Sequence, residues 1–153
     1  MTETDPSDQA DPSDQAGAAL PEWKSFWTER RLCMLATRRA DGTTHLVPVV
    51  ATYDETTGIA YVITGDGTAK VRNIESAPEG TAWAAVSQAD RGRWTTLEGD
   101  AAVRREPEIV AEAVRRYSER YPDPGPNPRR VAIEIRVRRV MGTVKVPLPL
   151  PLP

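Results

Sequence analysis

The stretch "LCMLATRRADGTTHLVPVVATYDETTGIAYVIT", residues 32–64, decides the fold. Two runs rich in β-branched and apolar residues, "LCMLATRR" and "THLVPVVATY", flank "ADGT", where Asp41-Gly42 supplies the chemistry of a tight hairpin turn. "DETTG" turns the chain again into "IAYVIT". The pattern predicts three consecutive antiparallel strands. Pro48, inside the second, has no N–H to give a ladder, so a bulge or a sheet edge is expected there.

Beyond this stretch, "TAWAAVSQ" and "RWTTLEGDAAVRR" read as two strands joined by the polar turn "ADRG", with Gly99 a kink in the longer one. "RRVAIEIRVRRVMG" alternates Val131, Ile133, Ile135 and Val137 with largely charged positions, the period of a strand with one buried face. Helices are predicted in "LPEWKSFWTERR" from Leu20, in one or two turns of "TAKVRNIES", and in "EPEIVAEAVRRYSERY", opened by Pro107 at its first turn. Six strands joined by hairpins, with few helices, predict a mainly β fold: a six-stranded antiparallel barrel, closed or partly closed.

With 153 residues the chain is long enough for one core and short for two. Residues 1–19 contain the direct repeat "DPSDQA" and are expected to be disordered. Residues 20–145 form the domain, and 146–153, alternating Pro with Leu, an extended and frayed tail. Residues 1–22 hold six acidic side chains and no basic one, leaving 20 basic against 16 acidic side chains in the remainder. This mild excess suits a small anion and falls short of the dense basic stripe expected of a nucleic-acid binder. No apolar stretch approaches the roughly 20 residues needed to span a bilayer. With no basic and apolar leader at the start, a cytoplasmic location is expected. One cysteine and one histidine argue against a metal site, and Cys33 reads as a buried, inert thiol.

Residues that could carry chemistry are few. His45 has no G-x-S-x-G elbow near it, and Asp54 and Glu55 read as solvated turn residues. "ITGDGTAKVRN", residues 63–73, stands out. Gly65 and Gly67 allow close approach of a ligand to the backbone, Thr68 offers a hydroxyl, Lys70 a positive charge, and a helical turn from Thr68 would aim free N–H groups at an anion. The spacing matches neither a Walker A loop nor a dinucleotide turn, and on spacing alone a plain turn before a helix fits as well as a phosphate site.

The order of segments resembles the flavin-binding split-barrel family, also called pyridoxamine phosphate oxidase-like, over residues 26–142. In that family a strand ending in Thr leads to a loop with [ST]-x-K that binds the cofactor phosphate. Thr64, Thr68, Lys70 and Asn73 match those positions. FMN-using members carry R-x-[VL]-L-L-K on the second strand; this chain has "HLVPVVATYD", without either cation. "THLVPV" is similar instead to relatives that use the deazaflavin coenzyme F420. "ERRLCMLATRRADGTTH", "VSQADRGRWTTLEGDAAV" and the long motif in "RYPDPGPNPRRVAIEIRVRRVMG" resemble the biliverdin-reducing members of that branch.

The resemblance implies a homodimeric F420H2-dependent reductase in which the cofactor carries the hydride and no side chain acts as a catalytic residue. The ring would lie near Val47, Pro48 and Val49, with Gln88 hydrogen-bonded to it and Trp94 flanking it from the partner subunit. Arg129 would meet the anionic tail of F420, and Arg93 and Arg130 the substrate, a tetrapyrrole or another conjugated acceptor. The alternatives are an FMN-dependent oxidoreductase and a non-catalytic F420 binder.

Overall fold

The computed structural model describes residues 20–149. The repeat-containing segment 1–19 and residues 150–153 lie outside the described residues. A short helix α1 (Glu22–Thr28) precedes β1 (Cys33–Arg38), β2 (Thr44–Val49), β3 (Ala51–Asp54) and β4 (Ile59–Gly65). Helix α2 (Ala69–Ser76) leads to the long hairpin of β5 (Trp83–Asp90) and β6 (Arg93–Arg104). Helix α3 (Pro107–Arg120), with proline in its first turn, and β7 (Arg130–Gly142) complete the fold. Among the described residues no helix is long and apolar enough to cross a membrane.

The strands form one antiparallel sheet in the order β2-β1-β5-β6-β7-β4-β3. Among the described residues seven strands replace the predicted six, because "THLVPVVATY" is two strands. Its first half pairs with β1, Met34 opposite Pro48, and its second half with β4, Ala51 opposite Val62. These halves are the two edges of the sheet, and one residue, Val50, separates them. A sheet whose opposite edges are joined by one residue has to curl until they meet. Pro48 accordingly lies on an edge strand, where its missing N–H costs little.

The edges meet without a ladder. Extending the β3–β4 register past Ala51 would set Val50, Val49 and Pro48 opposite Ile63, Thr64 and Gly65. The chain departs from β4 at that point, and a seam opens between β2 and the end of β4.

The curled sheet encloses the main core. Leu35, Val86, Leu97, Ile133 and Ile135 are fully buried, each worth about 1.5–3 kcal/mol relative to exposure, and α1 inserts Phe26 and Trp27 among them. Helix α3 packs on the outer face of β4 and β7, where Ala113 meets Tyr61 and Ala132. The tail differs from the frayed segment expected from its prolines. Val144 and Val146 belong to the core, and the Tyr53 hydroxyl donates to the Pro147 carbonyl at 2.6 Å. Packed chain therefore continues past residue 145. Asp54 also departs from expectation. It is buried, accepting from the Thr56 N–H and the Thr57 hydroxyl and pairing with Arg116 at 3.0 Å.

The kink expected at Gly99 is a register shift between Glu98 and Gly99 against β7. A β-carbon built on Gly99 would stand 1.8 Å from the Arg136 carbonyl oxygen. Backbone cannot give way as a side-chain tip can. We expect Gly99→Ala to destabilise the protein by about 2 kcal/mol or more, read as a lowered urea midpoint, while an unchanged midpoint would show the bulge to be loosely packed.

Candidate functional site

The seam is a cleft of about 270 Å³. Pro48, Val49 and Val50 line one side, Ile63, Thr64 and Gly65 the other, and Lys70, Tyr117, Pro124, Asn127 and Arg130 close it. Each side chain is there for a topological reason. Thr64 and Gly65 extend β4 past the end of its pairing with β3, and Arg130 stands opposite Gly65 across the β4–β7 ladder. The Asp66 N–H donates to the Arg129 carbonyl at 2.7 Å, tying the loop after β4 to the start of β7. Gly67, at φ 78°, turns the chain into α2.

Helix α2 begins with an open N-terminus. Thr68 is its N-cap, yet the side chain makes no capping bond and lies 3.4 Å from the Thr64 hydroxyl instead. The Arg72 N–H is the first to find a carbonyl partner, that of Thr68, so the preceding N–H groups of the first turn are left to an external acceptor. A β-carbon on Gly65 would point between Thr68 and Asn127 at ordinary contact distance, so the glycine keeps the floor of this mouth open.

Charge is distributed unequally. Among the described residues, nine basic side chains, including those of Arg93, Arg104, Arg105, Arg116 and Lys24, have a carboxylate within 4.0 Å. Around the loop, Lys70, Arg72, Arg129 and Arg130 have none among the described residues. Arg72 donates to the Gly67 carbonyl, Arg130 to the Gly125 carbonyl at 2.8 Å, and the Arg129 guanidinium lies 3.3 Å from where a Gly67 β-carbon would stand. Burial holds Lys70 below the usual lysine value of 10.5. A partly desolvated ammonium without a counter-ion, beside free helix N–H groups, is a receptor for an anion.

Of the residues singled out in the sequence, the structure brings Pro48, Val49, Thr64, Lys70 and Arg130 into the cleft, with Thr68 and Arg129 at its rim. Val47 sits one residue away on β2. Asn73 does not close the loop. It lies within α2, donates to the Thr37 hydroxyl at 3.1 Å, and lines a separate cavity of about 450 Å³ toward the C-terminal end of the helix, with Ile74, Ser76 and Ala77. Arg93 pairs with Asp90 at 2.7 Å and stacks over Phe26, and Trp94 beside it is partly exposed; neither lines this chain's cleft. Gly65, read in the sequence as a place of close ligand approach, lines the cleft too, whereas Val50, Ile63, Tyr117, Pro124 and Asn127 were not singled out. The last two lie inside the "PGPNPRRV" motif, which was the available signal.

Gln88 requires a correction of place. It is 2% exposed, donates to the Phe26 carbonyl at 2.9 Å, and its oxygen accepts from Arg120 at 2.5 Å and from the Cys33 thiol at 3.5 Å. Arg120, 4% exposed, also donates to the carbonyls of Glu29 and Ala51 at 2.9 and 2.7 Å and stacks on Trp27 and Tyr121. This cluster fastens α1, β3, β5 and α3 together. Desolvation lowers the pKa of the guanidinium and raises that of the Cys33 thiol, consistent with an inert cysteine.

A split antiparallel barrel with an anion-receptive cleft at its seam is the class of protein that these features define. The chain belongs to the pyridoxamine 5'-phosphate oxidase family, which it matches over residues 19–143. It is 45% identical over 119 residues to an F420H2-dependent biliverdin reductase from Mycobacterium tuberculosis (strain CDC 1551 / Oshkosh), covering 78% of this chain and 84% of that protein. Among solved structures, an F420 reductase superposes with a TM-score of 0.61 at 21% identity, covering 80% of this chain and 98% of that one. A haem storage protein from Vibrio cholerae superposes with a TM-score of 0.62 at 17% identity, covering 81% and 92%. At these identities the structural likeness carries the fold alone.

Because the Gln88 amide bonds on both sides inside the protein, Gln88→Leu should destabilise the fold by about 2 kcal/mol, since it leaves the Arg120 guanidinium and the Phe26 carbonyl only their long 3.5 Å bond to each other at this point. Urea unfolding checks this; an unchanged midpoint would free Gln88 for a role at a ligand.

Proposed function

We propose that the protein is an F420H2-dependent reductase that acts on a conjugated acceptor, with biliverdin as the substrate. The observation that carries this reading is the group of unpaired cations and free N–H groups around residues 64–70, beside the open edge of β2. The 45% identical relative, named for this cofactor and substrate, points to the same chemistry. The residues fit the cofactor: the open α2 N-terminus, the Thr68 hydroxyl and Lys70 suit its phosphate, and Gly65 leaves room for it. No cation stands on β2 at the positions where FMN-using members carry them, which favours F420 over FMN.

When bound, reduced F420 supplies a hydride. The protein's part is to bind and orient. Lys70 neutralises the phosphate, the N–H groups of the first turn of α2 fix its position, and Pro48–Val50 offer an apolar edge on which a flat ring can rest. Arg129 meets the anionic tail at the rim, and Arg130, donating only to a carbonyl, pairs with a carboxylate of the substrate.

The cleft of about 270 Å³ lies below the roughly 300–1,000 Å³ of complete small-molecule sites, so an elongated ligand extends beyond it and is covered from outside. A second copy of the chain is the proposed cover. Register places Met34, Leu46, Trp83 and Met141 on one face of the sheet, and all four are exposed. This face, on which the Glu98–Arg139 ion pair accompanies the four apolar side chains, is the proposed homodimer contact, through which Trp94 and Arg93 reach the cleft of the partner.

Fluorescence titration with F420, run beside FMN, followed by F420H2 oxidation with biliverdin, tests the reading. Saturable binding of F420 with FMN ignored, and turnover with biliverdin, is the expected result; binding without turnover of any acceptor would leave a cofactor carrier. Lys70→Ala should weaken F420 binding at least tenfold, and unchanged binding would remove the basis for the phosphate assignment. The anion favours protonated Lys70, so wild-type affinity should be full below the lysine's lowered pKa and fall as pH rises through it, before 10.5. A sedimentation mass of one chain would refute the homodimer.

A further inference from the structure

The anion-receptive loop contains a carboxylate. Asp66 lies two residues before the N-cap of α2, and an unpaired aspartate there would repel the phosphate that the loop is proposed to hold. Its side chain does not line the cleft. It is turned outward onto Arg105, at the junction of β6 and α3, which donates to both carboxylate oxygens at 3.0 and 2.9 Å. The same guanidinium donates to both oxygens of Glu75, in the last turn of α2, at 3.1 and 2.6 Å. One planar cation thus grips the loop before the helix and the far end of the helix itself.

Arg105 is 39 residues from Asp66 and 30 from Glu75 in sequence, so only the folded barrel brings the three together. The bond from Arg105 holds the Asp66 carboxyl below its ordinary value, and the Gly67 N–H, which donates to it at 2.9 Å, and the charge of Arg129 add to this. The side chains of Arg105, Asp66 and Glu75 are each a third or more exposed, so the cluster is not core structure. A guanidinium bidentate to two carboxylates is more directional than an isolated surface pair and fixes the position of both.

We infer that Arg105 is a positioning residue for the cofactor loop: it holds the Asp66 carboxylate out of the cleft, leaving the α2 N-terminus and Lys70 to an incoming phosphate. The inference rests on the phosphate reading of the loop. Without Arg105, the Asp66 carboxylate keeps, among the described residues, only the Gly67 N–H, at 2.9 Å, as a partner, and can turn from there toward the N–H groups of α2 and the Lys70 ammonium and compete with the ligand. Lysine at this position keeps a charge but cannot grip both carboxylates as a planar fork does.

The test is a set of variants of the full chain, each titrated with F420 by fluorescence at low and high salt. Arg105→Met should weaken binding about tenfold at low salt, with a smaller loss at high salt as the freed charge is screened. Adding Asp66→Asn to that variant should restore most of the affinity, whereas adding Glu75→Gln should not. Wild-type affinity in Arg105→Met, or failure of Asp66→Asn to rescue it, would overturn the inference, the latter by showing a general structural effect. The same variants titrated with inorganic phosphate, read by thermal shift, separate the two readings. A wild-type protein that ignores F420 refutes the cofactor assignment, while the phosphate series, with the same rescue pattern expected, still decides the role of Arg105.

Discussion

One residue, Val50, joins the two edges of the sheet, and the rest of the structure answers to that constraint. Strands β2 and β3 are neighbours in the chain and opposite ends of the hydrogen-bonded order, so the sheet must curl. The edges could have been zipped by continuing the β3–β4 register. They are not: β2 stays with β1, Pro48 carries no N–H to offer across the gap, and the strip from Ile63 to Gly65 is left facing it. The cleft is the part of the barrel wall that pairing leaves open. Backbone conformation, loop glycines and free amides collect there because ordinary strand pairing ends there.

The same contrast between satisfied and unsatisfied groups separates structural from functional charges. Arg120 is the most buried cation among the described residues, and its donors are taken up by carbonyls and Gln88. It holds elements together and has nothing left for a ligand. Lys70 and Arg130 are less buried, lack a carboxylate within 4.0 Å among the described residues, and face the gap. Removing a partner from the first kind exposes a buried polar group. Adding an anion to the second kind satisfies one.

Legibility in the sequence followed the range of the interactions involved. The hairpins were readable because Asp41-Gly42 and "DETTG" are local turn chemistry, and α3 because its proline and apolar period are local too. The division at Val50 was not, since "THLVPVVATY" is an unbroken strand pattern and only its distant partners, β1 and β4, pull it apart. In the cleft, the glycine-rich loop and Lys70 were visible as a motif. Tyr117 was not: it is one aromatic residue in an amphipathic helix, delivered by the packing of α3 on β4 and β7. Gln88 was assigned through family resemblance, and nothing local announced that Arg120, 32 residues away, would occupy its amide.

The crossover at Val50 also bears on how the chain reaches this state. Its two halves must each find a partner before the barrel exists, and the β4–β7 ladder pairs Ile59 with Arg136 across most of the domain. Such pairings lose loop entropy before they return any contact energy. Refolding from urea should therefore belong to the regime of milliseconds to seconds typical of β-rich topologies of high contact order. The opening that admits a ligand and the slow search for strand partners have one origin in the chain.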